Sequence, residues 1–265
     1  MNLAPYYYLT KMRILTNLAY RFDVLVSIGT NLVLMVTAIF LWEAAFSSVP
    51  EKNGMGVRDM VAYSIVSTLL GTVFVCGVQD TIYHKVREGQ IATDFYKPVP
   101  LLAVYFADDL GAVAGDFMIK AIPLLISGAI FFGLPLPESP LGFLLFLPSC
   151  VFSYLILWFL SAIVGLLAFW VMELGNMGLV KDAIVRVLSG SFVPVWFFPE
   201  TLQWISKFLP FQYTYQTPLG IYIGVIGTAQ ALREMGIQLI WAAALFLVLA
   251  LFWRKTKKKT LIQGG

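Results

Sequence analysis

Few residues inside the apolar stretches of this sequence have side chains that could do chemistry. Asp116 and Lys120 are the clearest, because both lie well within an apolar run and are spaced four residues apart. On a helix that spacing places them on one face, where they can neutralise each other as an ion pair. A contact to a bound substrate is the alternative role. Glu43, Asp80 and Glu173 lie near the ends of apolar runs, where solvation explains them.

The signatures of catalytic and metal sites are missing from the sequence. His84 is the only histidine, so an H-E-x-x-H zinc site or any centre with several histidines is excluded. No G-x-S-x-G nucleophile elbow and no G-K-[ST] phosphate loop occur. Cys76 and Cys150 lie in apolar runs and are expected to be free thiols. We therefore predict no catalytic residue, no metal and no cofactor in this chain.

The composition shows which kind of protein positions these residues. Of 265 residues, 59% are hydrophobic and 12% are charged, against about 45–50% and about 25% in ordinary globular domains. The mean hydropathy is +0.82, and the chain has too few polar residues to cover a core in water. The net charge of +3 is too small to suggest a nucleic-acid partner. These values predict a polytopic membrane protein and exclude a soluble enzyme.

Six apolar segments are long enough to cross a hydrocarbon core about 30 Å thick, which takes about 20 helical residues. Between the third and fourth segments, Pro135, Pro137 and Pro140 cannot continue a helix and therefore mark a loop. The fifth segment is the shortest. We predict an all-α integral membrane protein with six transmembrane helices, at 24–46, 60–80, 110–134, 141–171, 183–199 and 235–253.

Lysine and arginine residues are unevenly divided between the two sides of these six spans. Short loops rich in them stay in the cytoplasm, so the richer side is expected to be cytoplasmic. Lys120 lies within a span, and the poorer side carries Lys52, Arg58, Lys207 and Arg233. Both termini are therefore predicted to be cytoplasmic, on the side that carries Lys11, Arg13, Arg21, Lys85, Arg87, Lys97, Lys181, Arg186, Arg254, Lys255, Lys257, Lys258 and Lys259.

Two further segments are predicted to lie at the membrane surface or partly within it. Residues 1–23 have an apolar helical face, which favours an interfacial helix on the cytoplasmic side over a disordered leader. Residues 199–234 are too polar to cross the membrane twice and too apolar for a plain loop, so we expect an outer re-entrant helical hairpin between spans five and six. The apolar face of the first segment consists of Tyr8, Met12, Leu15, Ala19 and Phe22.

The connection between spans two and three, residues 83–100, has the most informative pattern. A charged turn at Arg87, Glu88 and Gly89 precedes a short amphipathic stretch that Pro98 stops. Such a segment can form a small surface helix that docks into the groove of another protein, and a plain connector is the alternative. The residues predicted to make this contact are Arg87, Glu88, Gly89, Ile91, Asp94, Phe95, Tyr96 and Lys97.

Together these features resemble the permease subunits of type-2 ABC exporters. The resemblance rests on the R-E-G-x-h-x-x-x-h-h-K-P-V-P run at 87–100, on six spans with both termini inside, and on the interfacial N-terminal helix. The stretch 193–200, together with Leu209-Pro210-Phe211, Pro218 and Gly220, looks like the outer re-entrant hairpin of that family. Within the family, the six-span bacterial subfamily without an assigned substrate is the nearest match.

The resemblance implies a single transmembrane permease domain over 1–265, in a complex of two permeases and two cytoplasmic ABC ATPase subunits within membrane lipid. ATP and Mg²⁺ would be bound by the ATPase chains, with 83–100 as the coupling element. The second permease is either another copy or a related chain. The apolar, aromatic-rich spans favour export of a hydrophobic or amphipathic substrate through the bacterial cytoplasmic membrane. An ATP-independent carrier or channel is the alternative class, and an intramembrane enzyme is the third.

Overall fold

The computed structural model describes residues 4–19, 21–48, 51–52, 54–95, 99–133, 136–171 and 177–263. Most of these residues are helical, and the only β-structure among them is a short antiparallel pair, β1 (Glu51–Lys52) with β2 (Met55–Gly56). A helix pairs its own backbone N–H and C=O groups, which a chain in hydrocarbon requires. The prediction of an all-α integral membrane protein is confirmed.

The helices follow one another with short connections. A π-helical turn, Phe117–Ala121, joins two of them without a loop, and a three-residue 3-10 turn, Leu167–Phe169, extends another. In chain order the helices are α1 (Ala4–Ala19), α2 (Arg21–Phe46), α3 (Val57–Val73), α4 (Val78–Arg87), α5 (Ile91–Phe95), α6 (Leu101–Asp116), α7 (Ile122–Phe132), α8 (Pro140–Leu166), α9 (Met177–Leu188), α10 (Glu200–Lys207), α11 (Gln212–Tyr222) and α12 (Thr228–Gln263).

Five helical runs within the described residues are long and apolar enough to cross a membrane. They correspond to predicted spans one to four and six. The third begins at Leu101, earlier than the predicted residue 110, because Asp108 and Asp109 lower the local hydropathy although both have partners in the fold. The five runs are Phe22–Phe46, Val57–Arg87, Leu101–Phe132, Pro140–Phe169 and Thr228–Lys257.

The predicted fifth span, 183–199, is wrong as a single continuous helix. The helix there, α9, has only 12 residues and ends at Leu188. Gly190 follows with φ of 81°, a left-handed conformation that favours glycine and interrupts a right-handed helix. Pro194 has no backbone N–H to donate, so the helix does not resume there. Hydropathy alone did not reveal this break, because most of the interrupting residues are apolar or small.

The interrupted segment still runs from one end of the bundle to the other. Gly178, near the start of α9, lies against the side chain of Gln79, which belongs to the end that carries α5. Phe197 packs on Trp42 with ring centroids 5.2 Å apart, at the end that carries β1 and β2. We call these the α5 end and the β1–β2 end. The fifth crossing is therefore helical in one half and irregular in the other.

The N-terminal helix α1 packs along α6. Gly111 permits the close approach, because a Cβ at that position would lie 2.7 Å from the carbonyl oxygen of Thr10. The Thr10 hydroxyl donates to the carbonyl of Ala107 at 2.9 Å, which fixes the register. The apolar face predicted from the sequence points away from α6, and its members Tyr8, Met12 and Leu15 within α1 are 63%, 62% and 50% exposed. That face is free to contact lipid.

The re-entrant hairpin predicted at 199–234 consists of a surface limb, α10, and an inner limb, α11. Most of α11 is buried, and it packs against α8 and α12. The Gln238 side-chain amide donates to the Tyr213 carbonyl at 2.8 Å and to the Ser153 hydroxyl at 3.0 Å. These bonds join α12, α11 and α8 where apolar contact alone gives little preference over lipid. Trp204 on α10, in contrast, is 63% exposed.

Candidate functional site

A cavity of about 440 Å³ opens between α2, α3, α8 and α9, and Tyr215 of α11 also contributes to its wall. Its volume falls in the range of sites that hold drug-sized molecules. Part of the wall is apolar, but polar side chains from α3, α8 and α9 also face it. Polar groups are costly at membrane depth unless they face protein or a water-filled space, so this cavity is the candidate functional site. Its apolar wall includes Leu34, Phe74, Leu157, Leu160 and Phe192.

Three of the hydroxyl groups that line the cavity, all on α3, donate their protons within the protein. Ser64 donates to the carbonyl of Met60 at 2.9 Å, and Thr68 donates to the carbonyl of Ser64 at 2.8 Å. Ser67 donates across the cavity wall to the carbonyl of Ser191. Each hydroxyl oxygen keeps a lone pair for another partner. This part of the wall therefore accepts hydrogen bonds more readily than it donates them.

Four charged side chains line the cavity, and two of them pair with each other. The Lys181 ammonium lies 2.8 Å from the Asp182 carboxylate and also donates to the Ser161 hydroxyl at 2.9 Å. Arg186 makes no ion pair or side-chain hydrogen bond within the described residues, and the closest polar contact of the Asp80 carboxylate there is the Gln79 amide at 3.5 Å. One cation and one anion are thus left for a ligand.

The backbone of Arg186 lies level with α3, although the sequence predicts Arg186 in a cytoplasmic flank of the fifth span. Ser191 donates to the Arg186 carbonyl at 3.1 Å, and the carbonyl of Ser191 accepts from Ser67. Ser67 is ten residues into the membrane run Val57–Arg87, about 15 Å from the start of the run at 1.5 Å per residue. The short α9 ends at Leu188 and so places Arg186 beside the irregular half of the fifth crossing.

That irregular half is stabilised by side chains from neighbouring helices. The Tyr63 hydroxyl donates to the carbonyl of Gly190, and the carbonyl of Ser189 accepts the backbone N–H of Gln216 at 2.9 Å. The side-chain oxygen of Gln216 accepts the backbone N–H of Val195 at 3.0 Å. Non-helical backbone within a membrane needs such partners because lipid offers none. The broken crossing is therefore a specified part of the cavity wall.

Asp109 holds a second break, between α3 and α4. Its carboxylate accepts the backbone N–H groups of Gly77 and Val78, both at 3.0 Å, and the indole N–H of Trp158 at 2.9 Å. The first N–H groups of a helix have no partner within the helix, and a negative charge is favourable there. Asp109 is only 4% exposed, so all three bonds are shielded from water. The carboxylate joins α4, α6 and α8 beside the cavity.

At the α5 end, α4 and α5 form a compact projection. The Lys85 ammonium pairs with the Asp94 carboxylate, which also accepts the Tyr105 hydroxyl at 3.3 Å. The Lys85 ammonium lies 4.9 Å from the centroid of the Tyr105 ring, a cation–π contact. Ile91 is 5% exposed and packs in a core with side chains of α4 and α8. These contacts anchor α5 to α4 and α6.

The predicted contact residues of this projection fall into two groups. Arg87, Glu88 and Gly89 are exposed at the turn, where Gly89 adopts φ of 72°. Ile91 and Asp94 face the core of the chain itself, and Phe95 packs on Trp253 with ring centroids 5.4 Å apart. The apolar side predicted to enter another protein is therefore turned inward, and a partner would meet the charged turn. Tyr96 and Lys97 lie outside the described residues.

Asp116 and Lys120 form the contact that their spacing predicts. The Lys120 ammonium lies 2.7 Å from the Asp116 carboxylate, and Asp116 is 4% exposed. The π-helical turn, Phe117–Ala121, contains the lysine, and its wider coil sets the position of the pair relative to α2 and α3. Neither residue lines the cavity. The pair neutralises two charges within one membrane run, away from the cavity.

The structure defines a polytopic α-helical membrane protein in which broken spans surround a polar cavity. Across the part of the chain that is described, no group of three or more His, Cys, Asp or Glu side chains could hold a metal ion. Residues 32–264 match the family model described as ABC-2 family transporter protein, and the chain belongs to this permease family. A comparison with curated proteins finds no significant match.

Two residues of the site were missed by sequence reasoning. Asp109 was placed outside the third span because it follows another acid, and no sequence signal links it to Trp158 or to the α3–α4 break. Arg186 could have been recognised, because it lies in the otherwise apolar C-terminal half of α9, and Gly190 and Pro194 come soon after it. A helix breaker close to a cationic residue in an apolar run is a sign of a discontinuous span.

Proposed function

We propose that this chain is the transmembrane subunit of an ATP-driven exporter that moves a hydrophobic or amphipathic substrate across the bacterial cytoplasmic membrane. ATP and Mg²⁺ bind to a separate ABC ATPase subunit, where hydrolysis takes place. One observation carries the proposal: the membrane run Val57–Arg87 lines the cavity with its first part and contacts α5 with its last part. A push on α5 would therefore move a wall of the cavity.

The break between α3 and α4 supplies the joint for this movement. The two helices are separated by residues 74–77, and Asp109 binds the first N–H groups of α4 from α6. α4 is thereby tied to α6 and, through Trp158, to α8. Closure of the ATPase subunits would rotate these helices as a group against α3. The cavity would then change shape, because both α3 and α8 contribute to its wall.

The working assembly contains two permeases and two ATPase subunits, with lipid around the spans. The second permease is another copy of this chain or a related one. Both termini and α5 lie on the cytoplasmic side, and α10 lies on the outer side. The distribution of positive charge supports this orientation, because short cytoplasmic segments are rich in lysine and arginine. The α5 end carries Lys85, Arg87, Arg254, Lys255 and Lys257.

The contacts of two buried acids, Asp109 and Asp116, argue against their use as the coupling group of an ion-coupled carrier. Such a carrier needs a membrane acid that can exchange a proton or bind a cation. Asp109 already accepts three hydrogen bonds, and Asp116 is paired with Lys120. Either acid would have to give up these contacts in each transport cycle. The energy for transport is supplied more simply by a partner that acts on α5.

The proposal is tested by transport in vesicles. The full-length chain is purified with the ABC ATPase that co-isolates with it, and the complex is placed in vesicles with acyl-chain-labelled fluorescent lipids and rhodamine 6G as probes. We expect movement of at least one probe that requires ATP and is lost when the catalytic glutamate of the ATPase is replaced by glutamine. Probe movement that is equal with and without ATP would contradict the proposal and support a carrier or channel.

A further inference from the structure

The charges of the cavity sum to zero, but they are not all paired. Lys181 and Asp182 neutralise each other and are separated by 2.8 Å. Arg186 and Asp80 remain, one positive and one negative, with no ion pair to any described residue. Both side chains are exposed and line the cavity, so both can reach a ligand there. Charged residues within or beside membrane runs commonly contact a substrate, an ion or each other. A ligand that carries both signs of charge would satisfy both residues.

The two free charges are set apart along the bundle. Asp80 follows Gln79, whose side chain lies against Gly178 at the start of α9. Arg186 is eight residues beyond Gly178, about 12 Å along the helix axis at 1.5 Å per residue. The arginine side chain is long, so the distance between its guanidinium group and the Asp80 carboxylate can be considerably shorter than this axial separation. A polar group that carries an ammonium toward Asp80 and an anion toward Arg186 fits the spacing.

The rest of the wall favours a molecule with an apolar portion. Phe74, Leu34 and Leu160 line the cavity together with the charged residues. The Asp80 carboxylate is the acceptor that lies apart from Arg186 in the cavity wall. A primary ammonium has three protons to donate to it, whereas a quaternary ammonium has none.

We propose that the cavity binds a zwitterionic amphipath, with its anionic group at Arg186 and its primary ammonium toward Asp80. This assignment rests on the proposed export function, because it treats the cavity as the substrate site. The anionic group, a phosphate or a carboxylate, pairs with the arginine guanidinium, whose planar donors suit either group. The hydrocarbon part lies along the apolar wall. No covalent step is involved.

Ligand binding to the purified full-length chain tests the assignment. Calorimetric titration in maltoside micelles compares dihexanoyl-phosphatidylethanolamine, which is zwitterionic, with dihexanoyl-phosphatidylglycerol, which has the same chains and one negative charge. We expect the zwitterion to bind at least tenfold more tightly. Arg186→Gln and Asp80→Asn should each weaken its binding about tenfold. The matched controls, Arg233→Gln and Glu43→Gln, remove charges that do not line the cavity and should change binding less than twofold.

Three results would overturn the assignment. Equal affinity for the two lipids in the parent protein is one, and it decides the matter even if a variant fails to fold. Unchanged binding in both folded cavity variants is the second. The third is equally tight binding of glycerophosphoethanolamine, which has the same polar group without chains.

The titration contains no ATP, so a failure of ATP-driven transport leaves this result intact. Conversely, ATP-driven transport without lipid selectivity would keep the exporter and reject the zwitterion.

Discussion

The indole nitrogen of Trp158 lies 2.9 Å from the Asp109 carboxylate, and this bond joins α8 to α6 at the depth where α3 and α4 separate. The same carboxylate holds the first two N–H groups that follow the break. Since hydrocarbon cannot replace any of these partners, the break persists only while the carboxylate is in place. Asp109 is thus a positioning residue for the joint between the cavity and α5.

Loss of the indole donor should weaken this joint. We expect Trp158→Phe to lower the free energy of unfolding by about 1 kcal/mol, because it removes one charge-assisted hydrogen bond and keeps most of the ring packing. Asp109→Asn should cost more, since it weakens three bonds at once. Thermal unfolding in detergent measures both changes. Trp204→Phe, on the exposed face of α10, is the control and should leave the melting temperature unchanged. Equal melting temperatures for all three variants would contradict the role of Asp109 in holding the break between α3 and α4.

Asp116 and Lys120 should behave as a coupled pair. Removing one partner leaves a charge in a low-dielectric site, so Asp116→Asn and Lys120→Met should each cost several kcal/mol. The double variant should recover part of the loss, and a double-mutant cycle of unfolding free energies measures the coupling. Arg13 and Asp108, 3.9 Å apart and both more than 40% exposed, provide a control pair with coupling below about 1 kcal/mol. Strictly additive losses at Asp116 and Lys120 would refute the pairing.

The sequence predicted the long spans well because membrane crossing has a length requirement. A run such as Phe22–Phe46 or Thr228–Lys257 is apolar throughout, so its place follows from composition alone. The spacing of Asp116 and Lys120 likewise predicted their contact, because helical geometry is local. These features depend on neighbouring positions in the chain and need no knowledge of tertiary contacts.

The cavity could not be predicted in this way. Its wall depends on two helix breaks whose backbone partners come from distant positions, such as Tyr63 for Gly190 and Asp109 for Val78. Nothing in the local sequence records those pairings. The inward side of α5 was missed for the same reason, since the pairing of Asp94 with Lys85 and Tyr105 is tertiary. From the sequence alone, polar residues that end or interrupt an apolar run are interpreted as the boundaries of a span. Here such residues form the wall of the cavity or support it.

The break after α9 should not tolerate a side chain at Gly190. Its φ of 81° is strained for any L-residue, and a Cβ there would clash with the side-chain oxygen of Gln216. We expect Gly190→Ala to cost about 2 kcal/mol or more of unfolding free energy. Gly227→Ala is the matched control, because nothing lies within 4 Å of a Cβ at that position and its φ is ordinary. Similar yields and melting temperatures for the two variants would show that the break is not specified by Gly190.

The charged turn before α5 should be the part of this segment that a partner ATPase contacts. Glu88 is exposed, so Glu88→Arg should leave the melting temperature unchanged while it lowers ATP hydrolysis by the assembled complex at least threefold. Ile91→Ala is expected to act differently, since it empties a buried site and should cost about 2–4 kcal/mol of stability. The comparison separates contact from folding. Normal co-purification and hydrolysis in the Glu88→Arg complex would argue that α5 is a plain connector.

The orientation of the chain can be tested by labelling single cysteines. Cys76 and Cys150 are free and half-buried. Cys76 is first replaced by serine and Cys150 by alanine, which gives a parent protein without thiols. Lys52→Cys reports on the β1–β2 end and Lys257→Cys on the α5 end. An impermeant maleimide added to intact cells should label position 52, and should label position 257 only after the membrane is opened. The expectation rests on the excess of basic residues at the α5 end. Labelling of position 257 in intact cells would reverse the orientation and remove α5 from the reach of a cytoplasmic ATPase.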